Sequence, residues 1–376
     1  MSLVILTNIP TPYRTAFFDA LAEATACVGK RFHVLYCAKT ESGRHWPYEP
    51  AKMKHAHTVL RGFHPSLTGI HAHLNPGVLA ELNLLKPDTL LLAGSWNTPT
   101  MLIAGLNIYS PAPRRFFWSE GHADAALHKS GLIAWLRRRV YRTFDGFAVP
   151  NTKSAEWAIA QAGGPRQTVI LPNSIDAKFF VRPSATTRQE ARRQLGLTGA
   201  GRVLLQVGQL HSAKGAPELA EAFLRMRPTI AANTVLAFAG SGHAESELQD
   251  LAAQSLNSIR LLGQLSPEEI QKALWAADVF ILNTRRDANP LSAIEASAAG
   301  LPVVMSAAAG NITEIVEAPD AGFVIRDPAD PTEALRAVLS ASDEQLAAMG
   351  ARAALNAQRF DAPAVARSLI KQLYPR

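Results

Sequence analysis

Short runs of consecutive apolar residues alternate along the chain with longer stretches in which apolar positions recur every three or four residues. In the first half the runs Leu3–Thr7, Phe32–Cys37, Thr89–Ala93, Arg115–Trp118, Gly146–Val149 and Thr168–Leu171 read as strands. In the second half Val203–Val207, Val235–Ala239, Ile259–Leu262, Val279–Leu282, Pro302–Met305 and Gly322–Ile325 read the same way. Helical periodicity predicts helices over Arg14–Ala26, Ala216–Met226 and Pro267–Ala276, and a last one over Ala362–Tyr374. Strands that are apolar at every position are covered on both faces. Alternating with helices, they build parallel sheets.

The two halves open alike. SLVILTNIPTPYR begins one and GRVLLQVGQLHSAKG the other, each a strand, a loop of small or turn residues, and a helix. With no short tandem repeat, this predicts an α/β protein of two Rossmann-like domains facing across a cleft. The expected domains are 1–176 and 177–361, with the helix at 362–376 free to pack back on the first. Polar and turn residues around Pro183–Thr187 mark the expected linker.

Composition narrows the partners. The net charge of +7 and 48% hydrophobic residues describe a basic chain able to bury sizeable cores. Such charge favours anionic ligands, whether nucleotides, phospholipid headgroups or nucleic acid. No aromatic-basic stripe or recognition motif supports nucleic acid, which is not expected as a partner. Two cysteines, Cys27 and Cys37, are no disulfide framework and make the cytoplasm the default location. The first apolar run stops at Thr7 and reads as a strand, not a leader. The apolar region Thr89–Tyr109 is broken by Ser95, Asn97, Thr98, Pro99 and Asn107, so any membrane contact should be peripheral, at the inner face of the cell membrane.

The most informative segment is NTRRDANPLSAIEASAAGLPVVMS, residues 283–306. Asn289 suits a helix N-cap, Pro290 the first helical position and Gly300 the position past the end. A helix starting at the carboxyl end of a strand offers its N–H groups and positive dipole end to an anion. Asp287 before it and Glu295 inside it can accept hydroxyls of one polyol ligand. From spacing alone, a capped core helix with two solvated acids accounts for the segment equally well.

This segment resembles the acidic pair separated by seven residues in glycosyltransferase family 4, retaining enzymes of GT-B fold. Here the pair is Asp287 and Glu295, followed by Ala296 and GLPVV at 300–304. Asp stands where the family usually has Glu. VGQLHSAKG, residues 207–215, is similar to the family's strand, Gly-Arg-Leu and Lys-Gly signature, with Gly208 at the turn, Lys214 opening the next helix, and Gln209 in place of the Arg. LPNSID at 171–176, AGSGHAESEL at 239–248, LLGQLSPEEIQKALWAADVFILNT at 261–284 and GNITEIV at 310–316 fall in the family's order. The match covers about half the chain and is looser in the first domain.

The resemblance implies a retaining transfer of sugar from a nucleotide-diphosphate sugar, a UDP-sugar by preference or a GDP-sugar. The acceptor would be a glycan or lipid-linked molecule, as in surface polysaccharide synthesis. Asp287 would contact the donor sugar and Glu295 the ribose. Backbone groups at Asn289, Pro290 and Leu291 would hold the sugar or diphosphate. Lys214 would carry the charge, helped by Arg14. Gly208, Gln209, Gly242 and Leu265 complete the implied donor site. WSEGH at 118–122 puts Glu120 and His122 on the acceptor side. No Asp-x-Asp motif or metal-spaced His/Cys cluster appears, so neither metal nor cofactor is expected. A sugar-nucleotide epimerase, a phosphorylase or a non-catalytic nucleotide-sugar or lipid-binding subunit would share many of these features.

One more segment stands apart. KSGLIAWLRRRVYR, residues 129–142, mixes Leu132, Trp135, Leu136, Val140 and Tyr141 with Arg137, Arg138, Arg139 and Arg142. It reads as an ordinary packed helix with a solvated basic face, or as one that lies on an anionic membrane.

Overall fold

The computed structural model describes residues 2–41, 48–67, 70–105, 113–123, 126 and 128–375. Asn107 and Arg376, parts of two expectations above, lie outside the described residues. The chain divides into two compact units, Met1–Ser174 with Ala362–Arg376, and Ile175–Asp361.

The first unit is built on a seven-stranded parallel sheet. In chain order its strands are β1 (Ser2–Thr7), β2 (Arg31–Tyr36) and β3 (His57–Val59), then, after a small hairpin of β4 (Ser66–Leu67) and β5 (Ile70–His71), β6 (Thr89–Ala93), β7 (Arg114–Trp118), β8 (Gly146–Val149) and β9 (Gln167–Ile170). Their spatial order is β3-β2-β1-β6-β7-β8-β9. The central strands bury every residue, as their unbroken apolar runs require. One side of the sheet packs on the helices Pro12–Ala26 and Ala362–Leu373. The latter inserts Val365, Ala366, Leu369, Ile370 and Leu373 beside Phe17, Phe18 and Leu21.

The second unit carries β10 (Val203–Val207), β11 (Val235–Ala239), β12 (Ile259–Gly263), β13 (Val279–Leu282), β14 (Val303–Ser306) and β15 (Gly322–Ile325). They form a six-stranded sheet in the order β12-β11-β10-β13-β14-β15. Separate apolar clusters cover its faces, one around Phe280, Ile294 and Phe360, the other around Phe223, Phe238 and Leu335.

The twelve expected strands are present, each within a residue or two of its expected ends. Not foreseen were β3, an edge strand of three residues containing His57, and the hairpin β4–β5. Pro183–Thr187 is not a linker. Ser184 caps the helix Ala185–Gln194 by accepting from the Thr187 N–H, well inside the second unit. Turn-forming residues mark a helix start as readily as a domain boundary, because both need side-chain acceptors.

Candidate functional site

In the second sheet the direction of chain progression reverses between β10 and β13, which are direct neighbours. Loops leaving the carboxyl ends of strands on either side of such a reversal diverge and leave a crevice where ligands bind in open parallel sheets. Here they are 208–215 and 283–290.

These loops are fastened to each other by backbone. The Ala213 carbonyl accepts from the Arg285 N–H at 2.8 Å, the Arg286 N–H at 3.3 Å and the Thr284 hydroxyl at 3.0 Å. The Asn283 amide donates to the Gly215 carbonyl at 2.9 Å, and the Gln206 amide to the Lys214 carbonyl at 3.2 Å. Gly215 sits at φ 58°, and a Cβ there would collide with the Asn283 carbonyl oxygen, so the turn that sets Lys214 in place admits only glycine. Lys214 ends a short 3₁₀ turn, Ser212–Lys214, and the helix proper begins at Ala216, so Lys214 stands before that helix and does not open it.

The Lys214 ammonium forms an ion pair with Asp287 Oδ2. Both side chains are half-buried, 22% and 16% exposed, so the pair is only partly screened by solvent. Asp287 is held from two further directions. Its Oδ1 accepts from the Asn289 N–H at 3.2 Å, and its carbonyl accepts from the Gly310 N–H at 2.8 Å. An ammonium has three donors, and the contact with Asp287 uses one of them.

The helix Leu291–Ala298 starts one residue later than expected. Its N-cap is Pro290, not Asn289, and no side chain caps it. Asn289 is buried just ahead of the helix, since the hydrogen bond from its N–H to Asp287 turns the chain before a capping conformation is reached. The far end is as expected. Gly300 has φ 72°, its N–H bonds to the Ser297 carbonyl, and the Leu301 N–H bonds to the Ala296 carbonyl, which is a Schellman closure. Glu295 lies little more than a turn inside, between buried Ile294 and Ala296. Burial raises its carboxyl from 4.5 to about 7.

Of the other implied donor residues, Gly208 and Gly242 shape backbone. A Cβ on neighbouring Gly240 would strike the Gly208 carbonyl, and one on Gly242 the Leu210 carbonyl, so the loops after β10 and β11 run in direct contact. Leu210 and Ser241 extend that contact by an N–H to carbonyl bond of 2.9 Å. Gln209 Oε1 lies 2.9 Å from His211 Nε2, and His211 stacks on His243 with ring centroids 5.2 Å apart. No sequence motif singles out either histidine. Their common signal was position, each four residues beyond a strand end. Leu265 is half-buried ahead of Ser266, which closes a capping box on the helix Pro267–Ala276.

Arg14, Glu120 and His122 belong to the first unit. The order reverses there between β1 and β6, and the loop after β7 adjoins β6. Arg14 donates to Thr7 Oγ1 at 3.1 Å, pairs with Glu120 at 3.3 Å and lies 4.7 Å over the Trp118 ring. Glu120 and His122 line a cavity of about 270 Å³ whose walls include Trp96, Trp118, Trp157 and Tyr141. His122 is buried in that wall, 1% exposed. Ser119, next in the chain to Glu120, is committed to a 2.9 Å hydrogen bond with Tyr141. Among the described residues no group of three His, Cys, Asp or Glu side chains could hold a metal ion, and no helix is long and apolar enough to cross a membrane.

Residues 187–359 match the family model for glycosyl transferases group 1. A D-inositol 3-phosphate glycosyltransferase of Geodermatophilus obscurus is 34% identical over 200 residues, 50% of this chain and 43% of the relative. A GDP-mannose-dependent monoacylated alpha-(1-6)-phosphatidylinositol monomannoside mannosyltransferase of Corynebacterium glutamicum is 30% identical over 48% of this chain and 49% of its own length. The chain thus aligns with about half the length of these curated relatives. The crystal structure of Anabaena HepE in complex with UDP superposes over 99% of both chains with a TM-score of 0.73, at 18% identity. The whole chain therefore has the GT-B fold, and its residues 187–359 match glycosyl transferases group 1.

Proposed function

We propose that this chain is a retaining glycosyltransferase that takes its sugar from a nucleotide-diphosphate donor, with a UDP-sugar ahead of a GDP-sugar. The carrying observation is the pairing of Lys214 with Asp287 across the two loops of the second sheet's reversal point. The Anabaena structure was solved with UDP, which supports uridine, whereas the Corynebacterium relative is GDP-mannose-dependent.

Breaking the bond between a sugar and a diphosphate puts negative charge on the phosphate. The greatest help is positive potential already in place there. Lys214, with donors beyond the one given to Asp287, and the first N–H groups of the helix from Leu291 provide it. They stand in for a metal, and no cofactor is required. Asp287 orients the ammonium and receives a sugar hydroxyl. Glu295 receives ribose hydroxyls, a role that needs its carboxylate ionised. The leaving phosphate oxygen accepts the acceptor's proton on the same face, so no protein base is demanded. Glu120 and His122 position a glycan or lipid-linked acceptor, and Arg14 orients Glu120.

The direct test is a thermal-shift panel of uridine, guanosine and adenosine diphosphate sugars, followed by product analysis with the best ligand. Stabilisation by a uridine or guanosine diphosphate sugar, and transfer with retained anomeric configuration, are expected. Binding without transfer or hydrolysis would reassign the chain as a non-catalytic subunit.

A further inference from the structure

The helix Gly131–Tyr141 buries the wrong residues for an ordinary surface helix. Inward it turns Ala134, Arg137 and Tyr141. Outward it turns Leu132 at 71% exposure, Trp135 at 51%, Ile133 at 43% and Leu136 at 42%. A helix packed on a soluble domain does the reverse, with its apolar stripe toward the core. Nor is the inward face a packing accident. Arg137 donates to the Gln161 side chain at 3.0 Å and to the His128 carbonyl at 2.8 Å, lies 5.0 Å over Trp157, and lines the aromatic cavity together with Tyr141. The contacts of Arg137 help to fix the helix in this rotation, and Leu132, Ile133, Trp135 and Leu136 are left outside.

Along this segment the charge is all of one sign. Lys129, Arg138, Arg139 and Arg142 are exposed, and no acidic residue occurs between Lys129 and Arg142. The Arg139 guanidinium lies 5.1 Å over the Trp135 ring. Leucines to enter the acyl boundary, a tryptophan for the interface and arginines for phosphate headgroups are the three parts of a surface that lies on an anionic bilayer. We infer that the outward face of the helix Gly131–Tyr141 docks this protein on an anionic lipid membrane. The inference specifies the peripheral contact left open by the sequence. It also extends the proposed function, since docking by this helix brings the cavity behind it within about one helix diameter, roughly 10 Å, of the lipid headgroups.

Flotation with vesicles of phosphatidylcholine alone, and of phosphatidylcholine with phosphatidylglycerol, tests it on the full chain. Binding to the anionic vesicles only, weakening as salt rises, is expected. The double variant Leu132→Glu, Trp135→Glu should lose that binding while keeping its thermal unfolding midpoint, since both side chains are exposed. Arg138→Ala and Arg139→Ala should each weaken it by roughly five-fold. Equal binding to both vesicle types, no binding to either, or unchanged binding by the double variant would overturn the inference. So would a dimer in sedimentation that these substitutions dissolve, which would give the face to a second copy. Vesicle binding is read without any sugar transfer, so its outcome is independent of whether the donor reading holds.

Discussion

The two units present the same sheet reversal and equip it differently. In the second, the loops at the reversal carry Lys214 and Asp287 and are tied by backbone and amide bonds that fix the ammonium in place. In the first, Arg14 on the helix after β1 is neutralised by Glu120 and covered by an indole, and Glu120 lines a cavity with a wall of three tryptophans. One arrangement suits a compact, highly charged ligand. The other suits flat, weakly polar faces such as sugar rings, held by stacking and a few directed hydrogen bonds. A shared topology thus gives each unit the same kind of crevice, and the side chains around it set the two apart.

The sharpest way to break this contrast is to remove charge from the second unit. Lys214→Ala should lower kcat by roughly 10²–10³-fold, the scale for losing one preorganised donor at a developing charge, with the circular dichroism spectrum unchanged. A steady-state assay checks it, and full activity would refute the assignment. Next, Glu120→Ala should raise the acceptor KM and leave the donor dissociation constant where it was, as calorimetry and initial rates would show. A loss of donor affinity in that variant would erase the division of labour between the units.

The third effect depends on pH. Burial places the Glu295 carboxyl near 7, so a ligand that needs the carboxylate binds more tightly as pH rises from 6 to 8. Without ligand the sign is opposite. A carboxyl raised in the folded state favours folding fully below about 4.5 and loses that advantage as pH climbs through about 7. Glu295→Gln should flatten both trends, and the difference between the two proteins' melting profiles isolates this group from the buried histidines. Smallest in reach, Gly215→Ala should destabilise by about 1–3 kcal/mol in denaturant unfolding, because alanine must adopt φ 58° against the Asn283 carbonyl. Its transfer rate should fall as well, since that turn positions Lys214.

The reach of the sequence follows the same physics. Strands buried on both faces are legible because the pattern has no other reading, and Gly300 was legible as a helix end because its positive φ admits little else. The candidate site's layout was legible where chemistry and position coincide, as where Lys214 and Asp287 meet. It was illegible where a long-range partner decides the outcome. The pairing of Arg14 with Glu120 spans 106 residues. The edge strand β3 holds three residues with no buried run to mark it. For residues 129–142 both readings fitted the periodicity, and only the rotation fixed by Arg137 shows which side chains face outward.

The measurement closest to the central claim is the affinity of a uridine diphosphate sugar for the unaltered protein, Lys214→Ala and Glu120→Ala, titrated side by side in a calorimeter. A drop of at least about tenfold for the lysine variant alone, in keeping with the loss of a charge-assisted contact, is the predicted result. Equal affinity for all three proteins would contradict the claim that the second unit's lysine grips the diphosphate.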